Sequence, residues 1–269
     1  MEEQEPLFEK VLHRLVKRHI SGTTMSSAIE KAKELNSRNM AVAITFLSGA
    51  VTDKSKARYI TTTYLELIRQ ISRLGIKASV QIPLEQLGMN VSRDTAIKNL
   101  QEIVAAGSKY GVFVWAEIDD TNIDISRGID EGKRAFGIAF PSDDYKKYLK
   151  MYKQSRAVKL MFGGGAKKEK GYYKSLVKEV SKRDTINNCV LSSLPENALW
   201  PIVNNGIRKE KSLALEFGMG YSSRKLAKAM KKGAKVSMMV PFGKDWVRYA
   251  TTNVPEGYMR FLAGRLLKE

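Results

Sequence analysis

The chain has 269 residues, of which 43% are hydrophobic and 28% are charged, which excludes a disordered composition and allows one large core. Basic residues outnumber acidic ones by 46 to 28, and the formal charge is +18. The start MEEQEP and the shortness of every apolar run predict neither a signal peptide nor a transmembrane segment. A single cysteine excludes an internal disulfide. Together with the predicted absence of a signal peptide and of a transmembrane segment, it predicts a cytoplasmic protein.

Two helices are predicted before the first strand, at residues 7–19 and 26–35, and we expect the first to close the floor of the fold. After them, eight short apolar runs rich in β-branched and aromatic residues predict strands. These strands are 41–46, 78–82, 112–118, 136–140, 157–162, 189–192, 214–217 and 236–240.

Amphipathic stretches between the strands predict helices. They lie at 59–74, 93–106, 143–154, 172–182 and 223–232. Ser92 and Ser222 are the expected N-caps of two of these helices, and Gly75 and Gly233 stand where C-caps are expected. Between residues 121 and 135, glycines amid charged residues predict a short or missing helix.

Strands that alternate with helices build a parallel sheet, either a closed barrel or an open doubly wound sheet. Eight strands without a split favour the barrel. The predicted fold class is therefore α/β, a (β/α)₈ TIM-type barrel with N-terminal helices. We expect one domain over residues 1–269, with the helices in 1–36 and the barrel in 40–269.

Most of the positive charge recurs at helical spacing beside apolar positions. The basic residues are 146, 147, 150 and 153 beside Leu149, and 224, 225, 228, 231 and 232 beside Leu226 and Met230. This spacing is typical of solvated outer helix faces. No zinc, helix-turn-helix or aromatic RNA-binding signature accompanies the charge, so we expect no specific nucleic-acid site.

Few residue types are available for catalysis. His13 and His19 are the only histidines, and both fall in the predicted N-terminal helix, on nearly opposite faces and away from any strand end. We therefore expect no histidine catalysis and no metal site. Cys189 lies inside a predicted strand and is expected in the core. The sequence has no Walker motif and no GxGxxG loop.

The remaining polar candidates stand at the C-terminal ends of predicted strands, where the active sites of α/β barrels lie. They are Glu117, Asp119 and Asp120 after strand three, Lys159 in strand five, Ser192 and Ser193 after strand six, and residues 216–221 after strand seven. The glycines 163–165 would let the backbone approach a phosphate or a planar ring. Each candidate also has a structural interpretation: acidic residues cap helices, glycines form turns, and Lys159 pairs with a carboxylate.

The segment from Glu216 to Glu256 is similar to a known family. The run EFGMGY at 216–221, the run KVSMMVPFGKDW at 235–246 and Tyr249 resemble the strand-seven to helix-eight region of proline dehydrogenases, which reads EFQMLYG and then VPYGxxW. Similarity at residues 21–23, 34–35, 64–88 and 113–120 follows in family order. The resemblance covers roughly residues 20 to 262.

The resemblance implies a barrel that holds FAD and oxidises proline, a small amino-acid substrate, to Δ1-pyrroline-5-carboxylate. It leaves the electron acceptor open. It implies catalytic roles for Glu117, Tyr249 and Glu256. The implied cofactor contacts are Lys159, Met161, Gly163, Gly164, Ser192 and Ser193. Lys159 stands where the family has the arginine that faces flavin N5, and Glu117 stands in place of an aspartate.

Other family positions differ in this chain. Two arginines clamp the substrate carboxylate in the family, and their places hold Thr252 and Asn253, which are neutral. Pro255 stands where helix eight would continue. Further replacements are Pro83 for the strand-two Lys, Ile138 for the strand-four Gln, Met239 for the strand-eight Tyr and Gly165 for a Tyr after strand five.

Two functions follow from these observations. The first is FAD-dependent oxidation of proline or a related small amine. The alternative is a divergent, non-catalytic barrel that binds flavin or a partner protein. A nucleic-acid-associated protein is a third hypothesis that rests on charge alone.

Overall fold

The computed structural model describes residues 18–49, 51–119, 135–143, 145–151, 157–162, 170–180, 189–192, 199–200, 202–203, 213–246 and 249. Eight parallel strands pair in sequence order, and the last pairs with the first to close a barrel. They are β1 (Ala41–Phe46), β2 (Ala78–Pro83), β3 (Val114–Glu117), β4 (Phe136–Pro141), β5 (Ala157–Met161), β6 (Cys189–Ser192), β7 (Leu213–Gly218) and β8 (Lys235–Phe242). The closed barrel confirms the predicted fold class and excludes the doubly wound sheet.

Helices cover the barrel between its strands. They are α1 (Met25–Ser37), α2 (Lys54–Arg73), α3 (Arg93–Tyr110), α4 (Tyr145–Met151), α5 (Lys170–Val180) and α6 (Ser223–Lys231). Each overlaps a helix predicted from periodicity. Residues 7–17 of the helix predicted at 7–19, and residues 121–134 of the weak connection predicted at 121–135, lie outside the described residues.

The two predicted N-caps are confirmed. The hydroxyl of Ser92 accepts a hydrogen bond from the backbone N–H of Thr95, and Ser222 caps α6 in the same way. The C-caps are Leu74 and Lys232, one residue before the predicted glycines. Gly75 and Gly233 follow them with φ of +63° and +90°, a backbone region that favours glycine. One cap was missed. Asp53 accepts from the N–H of Lys56 at 2.8 Å, and α2 therefore begins five residues before the predicted start.

Side chains alternate along the strands between the helix layer and the barrel interior. The outward residues form one large core with the helices, and α2 contributes its buried Tyr64, Leu65, Ile68 and Ile71. Leu74 was predicted on the same face, but it is 39% exposed because the helix ends at Arg73 and Leu74 turns away as its C-cap.

Residues 21 and 22, just before α1, lie at the C-terminal ends of the strands. We call this end the mouth of the barrel and the opposite end the floor. Ser21 donates its backbone N–H to the carbonyl of Pro241 at 2.9 Å, and Gly243 donates to the carbonyl of Gly22 at 3.1 Å. From the mouth, α1 runs along β1 and β8 to the floor, where β1 begins.

The predicted basic helix faces are present on the described helices. Lys146, Lys147 and Lys150 of α4 are exposed, whereas Leu149 is buried beneath them. On α6, Leu226 is likewise buried between exposed basic residues. None of the helices in the described ranges is both long enough and apolar enough to cross a membrane.

Candidate active site

A cavity of about 360 Å³ opens at the mouth of the barrel. This mouth cavity lies where α/β barrels place their active sites, and its size is within the range of small-molecule pockets. Its lining combines apolar side chains with amide, carboxyl and hydroxyl groups. The lining residues are Thr45, Leu47, Gln81, Pro83, Gln86, Glu117, Pro141, Asp143, Met161, Phe162, Met239 and Tyr249.

A buried ion pair lies inside the barrel. Lys159 of β5 is 0% exposed, and its Nζ donates to both carboxyl oxygens of Glu216 of β7, at 2.9 and 2.8 Å. The same Nζ donates to Oε1 of Gln81 at 2.6 Å and lies 4.9 Å from the centre of the Trp115 ring. An ammonium group has three N–H donors, and these contacts use all of them.

The carboxylate of Glu216 is fully bonded as well. Ser192 of β6 donates to its Oε1 at 2.7 Å, and Ser237 of β8 donates to its Oε2 at 3.3 Å. Four acceptor contacts, two of them from Lys159, satisfy a carboxylate that is only 2% exposed. The pair is therefore a closed structural unit, as the structural interpretation of Lys159 predicts.

Gln81 of β2 links this ion pair to the mouth cavity. Its carbonyl oxygen accepts from Lys159, while its Nε2 donates to Oε1 of Glu117 and contacts the sulfur of Met161 at 3.6 Å. The ammonium fixes which end of the amide faces inward, because only the oxygen can accept. The amide N–H₂ is thereby directed toward the carboxyl group in the cavity wall.

Tyr64 fixes the backbone of this region from outside the barrel. Its hydroxyl donates to the backbone carbonyl of Gln81 at 3.0 Å and accepts from the backbone N–H of Phe46 at 3.1 Å. Burial raises the pKa of Tyr64, so the hydroxyl stays protonated and keeps both bonds at neutral pH.

Burial shifts the charged groups of the network in opposite directions. It raises the pKa of Glu117, and the hydrogen bond from Gln81 and the charge of Lys159 oppose that shift. It lowers the pKa of Lys159, and the carboxylate of Glu216 opposes that shift. Burial also raises the pKa of Tyr249 in the cavity wall, which keeps this phenol protonated at neutral pH.

The predicted site residues separate into three groups. Glu117, Met161 and Tyr249 line the mouth cavity. Lys159 and Ser192 lie deeper, in the buried ion-pair network, and neither lines the cavity. Gly163, Gly164, Ser193 and Glu256 lie outside the described residues.

Sequence reasoning missed two members of the network. Gln81 and Ser237 were each counted only as part of a predicted strand and of a family-like segment. A single polar residue at an inward position of a strand was the available signal, because buried polar groups require partners.

One expectation about the histidines was wrong. His19 was predicted to lie away from every strand end, yet a Cβ added to Gly220, two residues past β7, would lie 2.6 Å from its ring. Burial lowers the pKa of His19, so its neutral form is favoured there. Among the described residues, no group of three or more histidine, cysteine or acidic side chains is placed to hold a metal ion.

The chain is similar to curated proline dehydrogenases. It is 21% identical to a proline dehydrogenase of Deinococcus radiodurans over 94% of this chain and 89% of that protein. It is also 21% identical to proline dehydrogenase 2 of Bacillus subtilis, over 91% of this chain and 85% of that protein. No family model matches the chain.

Solved structures of proline utilization A share the fold. The Bdellovibrio bacteriovorus protein, inactivated by N-propargylglycine, has a TM-score of 0.74 at 14% identity and covers 97% of this chain. The Corynebacterium freiburgense protein has a TM-score of 0.66 at 10% identity and covers 98%. This chain spans about a third of the length of each, 33% and 35%.

Proposed function

Because the chain is a divergent relative of the proline dehydrogenases, we propose that it is an FAD-dependent oxidoreductase that oxidises proline or a related small cyclic amine at the mouth cavity. With proline as substrate, the product is Δ1-pyrroline-5-carboxylate. The similarity extends over about nine-tenths of the chain, which supports a common activity more than a short shared motif would.

One observation carries the proposal. The strand-five cation and the strand-three carboxyl that the family resemblance singles out belong to a single hydrogen-bonded group in the barrel, joined by Gln81. Glu117 reaches the cavity surface and Lys159 lies directly behind it. A packing role alone does not require a chain of polar contacts that ends in a ligand-sized cavity.

The mouth cavity fits the ring system of a flavin. Met161, Phe162 and Met239 offer apolar surface for its faces, and the amides of Gln81 and Gln86 offer donors and acceptors for its edge. A volume of about 360 Å³ accommodates the ring and a small substrate but not the whole dinucleotide. The diphosphate and adenosine would extend past these lining residues.

A bound FAD supplies the hydride-accepting chemistry of such an oxidation. The protein's own contribution is to bind and orient the amine. Gln81 occupies Oε1 of Glu117, which leaves Oε2 to accept a hydrogen bond from the substrate N–H. The raised pKa of Glu117 brings the carboxyl closer to the range in which it can exchange a proton with that nitrogen.

The charge of the cavity wall favours an amine over an amino acid. Glu117 and Asp143 are acidic, and no lysine or arginine stands among the described residues that line the mouth cavity. Thr252 and Asn253 replace the clamp arginines in the sequence. A cyclic amine without a carboxylate, such as pyrrolidine, is therefore the alternative substrate to compare with proline.

The visible spectrum of the purified protein tests cofactor binding. We expect flavin absorption that survives desalting, or that appears when FAD is added to the apoprotein. A colourless protein that takes up no FAD at micromolar concentration would refute the flavoenzyme proposal.

Steady-state assays with an artificial electron acceptor test the substrate. We expect slow proline oxidation with a high KM, because loss of two charged contacts weakens binding about a hundredfold. The variant Thr252→Arg with Asn253→Arg should raise kcat/KM for proline but not for pyrrolidine. Fast, tight proline turnover by the unaltered protein would show that another group holds the carboxylate.

A second candidate is a barrel that binds flavin without oxidising an amine. The observation in its favour is that all three N–H donors of Lys159 are committed to Gln81 and Glu216. Flavin that no amine reduces under anaerobic conditions would support this candidate. Bleaching of the bound flavin by proline or pyrrolidine would exclude it.

A further inference from the structure

A second cavity, of about 410 Å³, opens at the floor of the barrel, and no part of the proposed oxidation uses it. Residues of β1, β2, β3, β6, β7 and β8 form its walls. The inward-facing and rim residues among them are Ala41, Lys77, Ser79, Phe113, Trp115, Val190, Ala214, Lys235 and Ser237, with Glu216 at the inner end.

The cavity exists because small residues occupy inward positions. Barrels of this class ordinarily fill their interior with layers of bulky branched side chains. Here β1, β2, β7 and β8 contribute Ala41, Ser79, Ala214 and Ser237 to the lower layers, and Ala41 is exposed. The interior of the floor is therefore hollow along this side.

The opposite wall is aromatic and closely packed. The rings of Phe113 and Trp115 lie 4.7 Å apart between centroids. Gly137 of β4 packs so closely on them that an added Cβ would lie 2.5 Å from Cζ3 of Trp115. Together, these two rings, which are tilted by 47° to each other, form an apolar surface opposite the alanine and serine side.

The inner end of the cavity offers no charge to a ligand. Lys159, Ser192 and Ser237 already occupy the acceptor positions of Glu216. The ion pair therefore closes the cavity from above and separates it from the mouth cavity. A cationic ligand would find no vacant carboxylate at this end.

The rim carries positive charge. Lys77 immediately precedes β2, and Lys235 is the first residue of β8. Both lysines are exposed, and β2 and β8 are the two strands that flank β1. The side chain of Asn36 fixes the backbone of Lys77, with bonds of 2.8 Å to its N–H and 3.2 Å to its carbonyl. The two lysines therefore stand on either side of Ala41.

We propose that the floor cavity is a binding site for a small apolar carboxylate. Its apolar body lies between the Trp115 wall and the alanine and serine side, and its carboxylate lies at the rim between Lys77 and Lys235. This site goes beyond the proposed oxidation and does not depend on it, because the two cavities lie at opposite ends of the barrel.

Titration with 2-naphthoate tests the site, with binding measured by calorimetry and by tryptophan fluorescence. We expect saturable binding that changes the emission of Trp115. The Trp115→Phe variant should lose most of the fluorescence change, because Trp200 and Trp246 do not line the floor cavity. The cation 2-naphthylmethylammonium, of similar shape, should bind more weakly. Absence of saturable naphthoate binding, or equal binding of the cation, would overturn the proposal.

Two kinds of variant locate the ligand. Lys77→Gln and Lys235→Gln should each weaken naphthoate binding roughly two- to fivefold, whereas Lys98→Gln on the exposed face of α3 should not. Ala41→Phe should block the cavity, and because Ala41 is exposed the fold should tolerate the larger side chain. Naphthoate binding that survives Ala41→Phe, or that ignores both rim substitutions, would place the ligand elsewhere and refute the site.

Discussion

The cavities at the mouth and the floor of the barrel share β1, β2, β3 and β8 in their walls, yet they present opposite chemistry. The mouth cavity exposes Gln81, Glu117 and Asp143, whereas the floor cavity exposes an aromatic wall and two lysines at its rim. The Lys159–Glu216 ion pair lies between them and is closed to both by its own hydrogen bonds. A candidate residue near a predicted strand end is therefore not always accessible. Whether it can contact a ligand depends on how deep in the barrel its side chain lies.

The largest expected effect comes from breaking the layer that separates the two ends. Glu216→Leu leaves Lys159 buried without its carboxylate and should lower the free energy of unfolding by about 3–5 kcal/mol. Replacing both partners, Lys159→Met with Glu216→Leu, should recover much of this loss because no buried charge remains. Urea unfolding of the two single variants and the double variant gives the coupling energy. A loss below about 1 kcal/mol in Glu216→Leu would mean that water reaches the pair.

The ion pair also changes how cofactor experiments on Lys159 should be designed. The single variant Lys159→Met leaves Glu216 buried without its cation and destabilises the protein. A loss of bound flavin in that variant would therefore not show that Lys159 contacts the flavin. The double variant with Glu216→Leu removes the cation without leaving a buried charge, and is therefore the better test of whether this lysine affects bound flavin.

The fold was predictable because it rests on local patterns. Each strand and described helix leaves a periodic signal in its own segment, and caps such as Ser92 mark the boundaries. The third strand was predicted too long at its start. Val112 donates its N–H to the carbonyl of Gly107 at the end of α3, so it completes that helix and does not begin the ladder.

The site was only partly predictable because its contacts are not local. The strand ends indicated Lys159 and Glu117, but the partners of Lys159 lie 57 and 78 residues away along the chain. Only barrel closure brings β2, β5 and β7 together across the interior. No spacing in the sequence encodes that meeting, so the inward polar position of Gln81 indicated a buried partner but not which one.

The second prediction tests how tightly the aromatic side of the floor is packed. Gly137→Ala should cost about 2 kcal/mol, because its Cβ would overlap the Trp115 ring unless the ring moves. Gly218→Ala at the end of β7 is the matched control, since no atom lies within 4 Å of its added Cβ. Thermal unfolding of both variants checks the difference. Equal stability would show that the wall can yield and that the floor is less rigid than its geometry indicates.

A third prediction compares the two serines that bond Glu216. Ser192 is fully buried with a bond of 2.7 Å, whereas Ser237 borders the floor cavity with a bond of 3.3 Å. Ser192→Ala should cost about 1.5 kcal/mol and Ser237→Ala about 0.5 kcal/mol, because water in the cavity can replace the second hydroxyl. Chemical denaturation measures both. If Ser237→Ala costs more than Ser192→Ala, the hydrogen bond from Ser192 is not the stronger of the two serine contacts to Glu216.

The last expected effect concerns the charge of the mouth and depends on pH. Burial raises the pKa of Glu117 above its ordinary 4.5, so folding favours the neutral carboxyl. That contribution is fully present below pH 4.5 and is lost as the pH rises through the folded pKa. Glu117→Gln keeps a neutral acceptor for Gln81 and should stabilise the protein on the order of 1 kcal/mol above the folded pKa, but not at pH 4. Glu30→Gln, on the exposed face of α1, serves as the control and should show no such pH-dependent gain in urea unfolding. If Glu117→Gln is neutral or destabilising at pH 7 to 8, the carboxylate is well solvated at the mouth, and the contrast with the closed ion pair beneath it is greater still.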